Sequence, residues 1–60
     1  MNKKKPCEAY IVFDGTSYFG IYAYDLELFI EEEPEGEIIE KHSYWSDDMD
    51  KRIECLNNGI

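Results

Sequence analysis

Two segments near the start of the chain alternate in the manner of β-strands. In the segment 7–13 every second residue is Cys, Ala, Ile or Phe, and in the segment 18–24 Phe19, Ile21 and Ala23 repeat the pattern. A period of two predicts two strands, each with one mainly apolar face. The Asp14-Gly15 sequence between them predicts a hairpin turn.

The register of this hairpin follows from the assumption that its apolar faces coincide. Antiparallel partners share a face, so Ile11 and Phe19 lie together only if the numbers of paired residues add to an even value. A two-residue loop of Asp14-Gly15 gives an odd value and mixes the faces. We therefore expect a loop of three or five residues that includes Thr16 and can carry a bulge.

The segment 25–33 fits two interpretations. As a helix, it has Asp25 as its N-cap and an apolar stripe of Leu26, Phe29 and Ile30. As a strand, its even-numbered Leu and Ile residues alternate with odd-numbered Glu and Phe residues. Leu and Glu favour helices and Glu is depleted in strands, so we favour a short acidic helix that ends at the Pro-Glu-Gly sequence.

The remaining sequence predicts a third strand and a C-terminal helix. Glu37–Trp45 is rich in β-branched and aromatic residues, which favour a strand. Ser46 is a good N-cap, and an apolar stripe begins at Met49 with the spacing i, i+4, i+7. An Asn-Asn-Gly sequence ends this helix, and we expect Ile60 to fold back on its last turn. The order ββ(α)βα predicts an α+β domain with a small antiparallel sheet.

Length and charge sharpen this picture. The chain has 60 residues and a net charge of −8. We expect residues 1–6 to form a flexible basic lead-in and residues 7–60 to form one small domain. That domain holds 3 basic and 14 acidic residues, a net charge of −11. Eight acidic residues and no basic residue lie between Asp25 and Glu40.

Several classes of function are disfavoured. Direct binding to nucleic acid or to an anionic membrane is opposed by the charge. The sequence offers no signal peptide and no membrane span, so we expect a cytoplasmic protein in which Cys7 and Cys55 are reduced, with a disulfide between them as the alternative. These cysteines and His42 are one ligand short of a zinc site, and we predict no cofactor and no catalytic site.

The candidate functional residues are carboxylates and tyrosines. Closely spaced carboxylates on a rigid scaffold can approach the charge density of a nucleic acid, and tyrosines add apolar anchoring and contacts to arginine. Each group also has a structural explanation: solvated charge, tyrosines covered by a helix, or aspartates at a helix start, which are also weak candidates for a divalent cation. The predicted partner-binding residues are Glu27, Glu31, Glu32, Glu33, Glu35, Glu37, Glu40, Asp47, Asp48, Asp50, Tyr10, Tyr18, Tyr22 and Tyr24.

Two resemblances bear on function. The hairpin–helix–strand order, with Ile21-Tyr22-Ala23 running into Asp25-Leu26-Glu27, resembles small bacteriophage inhibitors of RNA polymerase over about a third of the chain. In composition, the chain is similar to phage DNA mimics and anti-defence proteins, such as anti-restriction and anti-CRISPR inhibitors.

Taken with the charge, these resemblances imply a non-enzymatic acidic inhibitor, encoded by a phage or mobile element, that binds a basic nucleic-acid-binding surface of a host protein. The alternative is a structural or regulatory interaction module, such as a homodimer, an antitoxin-like partner or an adaptor, in which acidity serves solubility.

Overall fold

The computed structural model describes residues 7–59 and shows a small α+β domain. Its three strands form one antiparallel sheet in the order β2-β1-β3, and the predicted order ββ(α)βα is confirmed. The lead-in 1–6 and the position of Ile60 lie outside the described residues. The elements are β1 (Ala9–Phe13), β2 (Tyr18–Tyr22), a 3-10 turn (Ala23–Asp25), α1 (Leu26–Glu32), β3 (Glu37–His42) and α2 (Asp47–Asn58).

The loop between β1 and β2 contains four residues, so the prediction of three or five was wrong. The Asp14 carboxylate accepts hydrogen bonds from the backbone N–H groups of Thr16 (2.8 Å) and Ser17 (3.0 Å). Gly15 has φ = +98°, in the left-handed region that glycine adopts at little steric cost. Aspartate and glycine therefore do form the turn, but within a longer loop.

The register of the hairpin also differs from the prediction. Ile11 pairs with Gly20 and Val12 pairs with Phe19, so the paired numbers add to an odd value. The prediction assumed that only one face of the hairpin is apolar and buried. In the structure both faces are covered: α2 packs on the face that carries Ile11 and Gly20, and α1 lies against the face that carries Val12 and Phe19. We refer to these as the α2 face and the α1 face.

The α2 face holds the main core. Ala9, Ile11 and Met49 are fully buried there. Gly20 lets Trp45 and Met49 pack closely on β2, since a Cβ at position 20 would come within 2.7–2.9 Å of their side chains. The partly buried residues that pack against this cluster are Tyr18, Ile39, Trp45, Ile53 and Leu56.

The ends of α2 match the sequence prediction. The Ser46 hydroxyl accepts a hydrogen bond from the Met49 N–H at 3.3 Å, which satisfies one of the free donors of the first turn. Gly59 has φ = +76° and ends the helix in the left-handed conformation. The third strand ends at His42 rather than at Trp45, and Trp45 lies at the junction between β3 and α2.

The ambiguous segment is a helix, as favoured. Its single turn of 3-10 helix ends at Asp25, and α1 follows. Asp25 occupies the N-cap position, although its side chain makes no capping hydrogen bond. Phe29 is buried, with its ring in edge contact with Phe19 at a centroid distance of 5.9 Å. Gly36 packs directly under the Phe29 ring and leaves no room for a side chain.

Cys7 and Cys55 are free thiols, and each is half-buried. The disulfide alternative is therefore not found in this structure.

Candidate functional site: an acidic surface beside an apolar groove

The most distinctive surface runs along α1 and the turn that follows it. Seven carboxylates lie there, and within residues 7–59 none of them forms an ion pair or accepts a hydrogen bond from a side chain. Five of the seven residues are exposed, and two are partly buried. We call this set the acidic segment: Asp25, Glu27, Glu31, Glu32, Glu33, Glu35 and Glu37.

Two of the three basic residues of the domain pair with carboxylates outside the acidic segment. Lys41 pairs with Glu8 at 3.5 Å, and Arg52 donates through Nε to Glu40 at 2.6 Å. The second oxygen of Glu40 lies 3.0 Å from Nε2 of His42. These contacts, first the hydrogen bond from Arg52 and then the one with His42, hold the pKa of Glu40 below its ordinary value. Glu40 is thus paired within the fold, and the acidic segment ends at Glu37.

Like charges in the acidic segment destabilise helix α1. Glu27 and Glu31 are four residues apart on α1, a spacing that brings like charges together and destabilises a helix by about 0.2–0.5 kcal/mol. A helix of 7 residues is too short to be stable alone, so α1 depends on Phe29 and its contact with the sheet. Glu27 lies in the first turn of α1, where the helix dipole favours negative charge, but the carboxylates from Glu31 to Glu37 have no such explanation.

The four predicted tyrosines do not form one face. Because the register is odd, Tyr10 lies on the α1 face, while Tyr18 and Tyr22 lie on the α2 face. Tyr18 packs against the core of that face. Tyr24 belongs to the 3-10 turn, where its side chain is 73% exposed and stacks on Tyr22 with the ring centroids 5.5 Å apart. The prediction of a single tyrosine surface was wrong; of these four tyrosines, Tyr22 and Tyr24 are exposed, and Tyr10 and Tyr18 are partly buried.

The aspartates at the start of α2 have a structural role that accounts for them. Asp47, Asp48 and Asp50 occupy the first turn, where the helix dipole favours negative charge. Asp50 also accepts a hydrogen bond from Nε1 of Trp45 at 2.7 Å, which fixes the indole over the core. Across residues 7–59, no three His, Cys, Asp or Glu side chains come together in a way that could hold a metal ion.

An apolar groove adjoins the acidic segment on the α1 face. Phe19 and Ile21 of β2 form one wall, and Leu28 and Phe29 of α1 form the other. The groove has a volume of about 300 Å³, and Leu28 is 52% exposed within it. Three carboxylates border the groove: Asp25, Glu32 and Glu33.

The sequence did not indicate this groove, because the expected register placed Phe19 and Ile21 beside Ile11 in the interior. The available signal was the apolar residue Leu28, which falls outside the helical stripe of 26, 29 and 30.

Comparisons with known proteins assign no family. No protein-family model matches the chain, and searches of curated proteins and of solved structures returned no match. In the described part of the chain, no helix has the length and apolar character needed to cross a membrane. A function therefore has to be inferred from the acidic segment and the groove beside it.

Proposed function

We propose that this chain is a non-enzymatic inhibitor that binds a basic, nucleic-acid-binding surface of another protein and excludes nucleic acid from it. We further propose that it acts in the cytoplasm of a bacterial cell and is encoded by a phage or mobile element. One observation carries the proposal: the seven carboxylates of the acidic segment have no basic partner within residues 7–59.

The chemistry of the acidic segment matches that of a phosphate backbone. The seven residues of α1 span about 10 Å and carry three carboxylates, roughly half the density of duplex DNA, which has one charge per about 1.7 Å of its axis. A carboxylate accepts two parallel hydrogen bonds from arginine, as a phosphate does. A protein surface built to hold phosphates through arginine and lysine therefore has the groups that these carboxylates require.

The energetic balance of α1 also supports an intermolecular role. Replacement of Glu31 by glutamine would remove its repulsion with Glu27, and also a negative charge near the C-terminal end of the helix dipole, so it would favour the helix. A small domain gains little core stability to offset such repulsion, because it buries only about 60% of its unfolded surface. The acidic segment carries negative charge that destabilises α1, and binding to a partner that neutralises this charge would explain why it is present.

The proposal is tested first by capture and then by competition. The tagged chain is incubated with a nuclease-treated bacterial lysate, and bound proteins are identified by mass spectrometry. Each captured protein is then purified and loaded with a fluorescently labelled nucleic acid that it binds. We expect the chain to displace the nucleic acid in a titration followed by fluorescence anisotropy. Captured proteins that do not bind nucleic acid, or that keep it when saturated with the chain, would contradict the proposal.

A matched pair of variants locates the binding surface. Glu27→Gln with Glu31→Gln removes two charges from the acidic segment, and Asp47→Asn with Asp48→Asn removes two from the start of α2. At about 0.2–1 kcal/mol for each exposed ion pair, the first variant should weaken displacement by roughly twofold to thirtyfold. The second should change it by less than about twofold, because these aspartates serve the helix start.

The stability of the two variants separates a binding effect from a folding effect. The glutamine variant should unfold at the same or a higher urea concentration than the parent chain, because it removes the repulsion between Glu27 and Glu31, and the loss of Glu27 from the first turn is offset by the loss of Glu31 from the last. The asparagine variant should be slightly less stable, because it loses favourable charge at a helix N-terminus. Weaker displacement by a chain that is equally or more stable cannot come from misfolding. Equal displacement by both variants and the parent chain would contradict the assignment of the acidic segment.

A further inference from the structure

The groove between β2 and α1 gives the surface a second kind of contact. We propose that it receives one large apolar side chain of the partner, presented by an amphipathic helix with arginine or lysine on the neighbouring turns. This inference rests on the proposed function and specifies the partner that would bind there. It is carried by an apolar groove of about 300 Å³ whose border contains three carboxylates and no basic residue among those described.

The apolar lining fits an anchor side chain. Phe19, Ile21 and Phe29 supply aromatic and aliphatic surface, and Leu28 stays 52% exposed at the groove. The volume is at the lower end of the range of about 300–1,000 Å³ that is typical of ligand pockets, so it suits one side chain rather than a large cofactor. Apolar anchors that fill such pockets supply much of the binding energy at protein interfaces.

The carboxylates at the border of the groove favour an occupant with positive charge. Asp25, Glu32 and Glu33 place three carboxylates around the apolar walls. On a helix, residues three and four positions apart lie on one face, about 5–6 Å apart at Cβ. A helix that inserts a leucine or phenylalanine can therefore bring arginines on the adjacent turns to these carboxylates, where charge-assisted hydrogen bonds form.

The same charges disfavour other occupants. A second copy of this chain would bring a domain of net charge −11 against an acidic border. Like charges brought together at an interface strongly disfavour association. An anionic lipid surface is repelled for the same reason. A cationic amphipathic segment can place an apolar side chain against the apolar walls and basic side chains beside the carboxylates of the border.

Two residues of α1 provide a matched test of the groove. Leu28 and Ile30 are both 52% exposed on the same helix, but only Leu28 lines the groove. Glu32 and Glu31 form a second pair of exposed carboxylates, of which only Glu32 borders it. The variants are Leu28→Ser against Ile30→Ser, and Glu32→Gln against Glu31→Gln.

The probes are two fluorescein-labelled helical peptides of about 16 residues, long enough to populate a helix in water. One carries a central leucine with arginines three and four positions to either side, and the other has serine in place of that leucine. Fluorescence anisotropy gives the dissociation constants, and circular dichroism confirms that each variant is folded. Backbone amide shifts of Phe19 and Phe29 in NMR spectra of the labelled chain report where the leucine peptide binds.

We expect the parent chain to bind the leucine peptide about tenfold more tightly than the serine peptide, as for a buried interface anchor. Leu28→Ser should abolish this preference, and Ile30→Ser should preserve it. Glu32→Gln should weaken binding of both peptides more than Glu31→Gln does. The inference is overturned if the parent chain shows no preference, if both serine variants behave alike, or if the free chain forms a dimer that Leu28→Ser dissociates.

The two proposals fail in distinguishable ways. If the Glu27→Gln and Glu31→Gln variant loses displacement of nucleic acid while Leu28→Ser keeps both displacement and the peptide preference, the groove is refuted and the proposed function stands. If the leucine peptide binds in the groove but no captured protein releases nucleic acid, the groove stands and the proposed function is refuted.

Discussion

Gly20 is the position at which the observed register and the packing of α2 can be tested together. A Cβ added there would lie 2.7 Å from Cη2 and 2.8 Å from Cζ2 of Trp45, and 2.9 Å from Cε of Met49. Carbon atoms pack at about 3.5–4.0 Å, so Gly20→Ala forces one of these groups to move. Met49 ends in a flexible methyl group, but the indole is held by its hydrogen bond to Asp50 at 2.7 Å.

The expected loss of stability follows from two opposing effects. Overpacking of a well-packed core costs about 1–3 kcal/mol. Alanine in place of a strand glycine recovers roughly 0.5–1 kcal/mol, because the unfolded chain has less backbone freedom to lose. We therefore expect Gly20→Ala to lower the free energy of unfolding by about 1–2 kcal/mol. For a domain of this size, such a loss lowers the Tm by about 4–8 °C for each kcal/mol.

Urea unfolding followed by far-UV circular dichroism measures this change without depending on the fluorescence of Trp45. The control is the same substitution in a Trp45→Phe background, where the two indole carbons nearest the new Cβ are absent. The cost of Gly20→Ala should then shrink, which gives a positive coupling energy between the two positions. If Gly20→Ala is as stable as the parent chain, or if its cost is the same in both backgrounds, the packing of α2 over Gly20 is wrong.

Two further predictions concern α2 and the ion pairs. Ser46→Ala should lower the free energy of unfolding by about 1 kcal/mol, because it removes the hydroxyl that caps the Met49 N–H; an unchanged urea midpoint would contradict this role. Glu40→Gln should cost up to about 1 kcal/mol near pH 7, the range for exposed pairs. Because the pKa of Glu40 is lowered in the folded state, its contribution is present above its unfolded pKa and is lost as the pH falls through the folded value. In urea unfolding, the difference in the free energy of unfolding between the parent chain and Glu40→Gln should therefore shrink as the pH falls from about 7 to about 3. A difference that stays constant over this range would contradict the pairing of Glu40.

Local signals in the sequence were sufficient for the helix ends and for the order of elements. Ser46 and Gly59 act through their own side chain or backbone conformation, so neighbouring residues alone specify them. The choice of helix for residues 26–32 also followed from the preferences of Leu and Glu, and it needed no knowledge of the sheet.

The hairpin register could not be obtained in this way. It depended on whether one or both faces of the sheet are covered, and the packing of α1 and α2 decides that. Once the register changes by one residue, every side chain of β2 changes face relative to β1. The tyrosine surface was wrong for this reason, and the groove lined by Phe19 and Ile21 was missed for the same reason.

The ion pair between Glu40 and Arg52 could not be predicted from the sequence either. Glu40 is contacted by Arg52, which is twelve residues away in sequence. Only the meeting of β3 with α2 reveals that this carboxylate is neutralised within the fold while those from Asp25 to Glu37 are not. The structure thereby narrows the acidic stretch of the sequence to the seven unpaired carboxylates of the acidic segment.

We propose that the acidic segment binds cationic groups of a nucleic-acid-binding partner. The most direct measurement is the dissociation constant of a captured partner between about 50 mM and about 500 mM salt, for the parent chain and for the variant with Glu27→Gln and Glu31→Gln. We expect the affinity to fall steadily as the salt concentration rises, and to fall less steeply for the variant. Affinity that does not change with salt, or an equal slope for both chains, would contradict it.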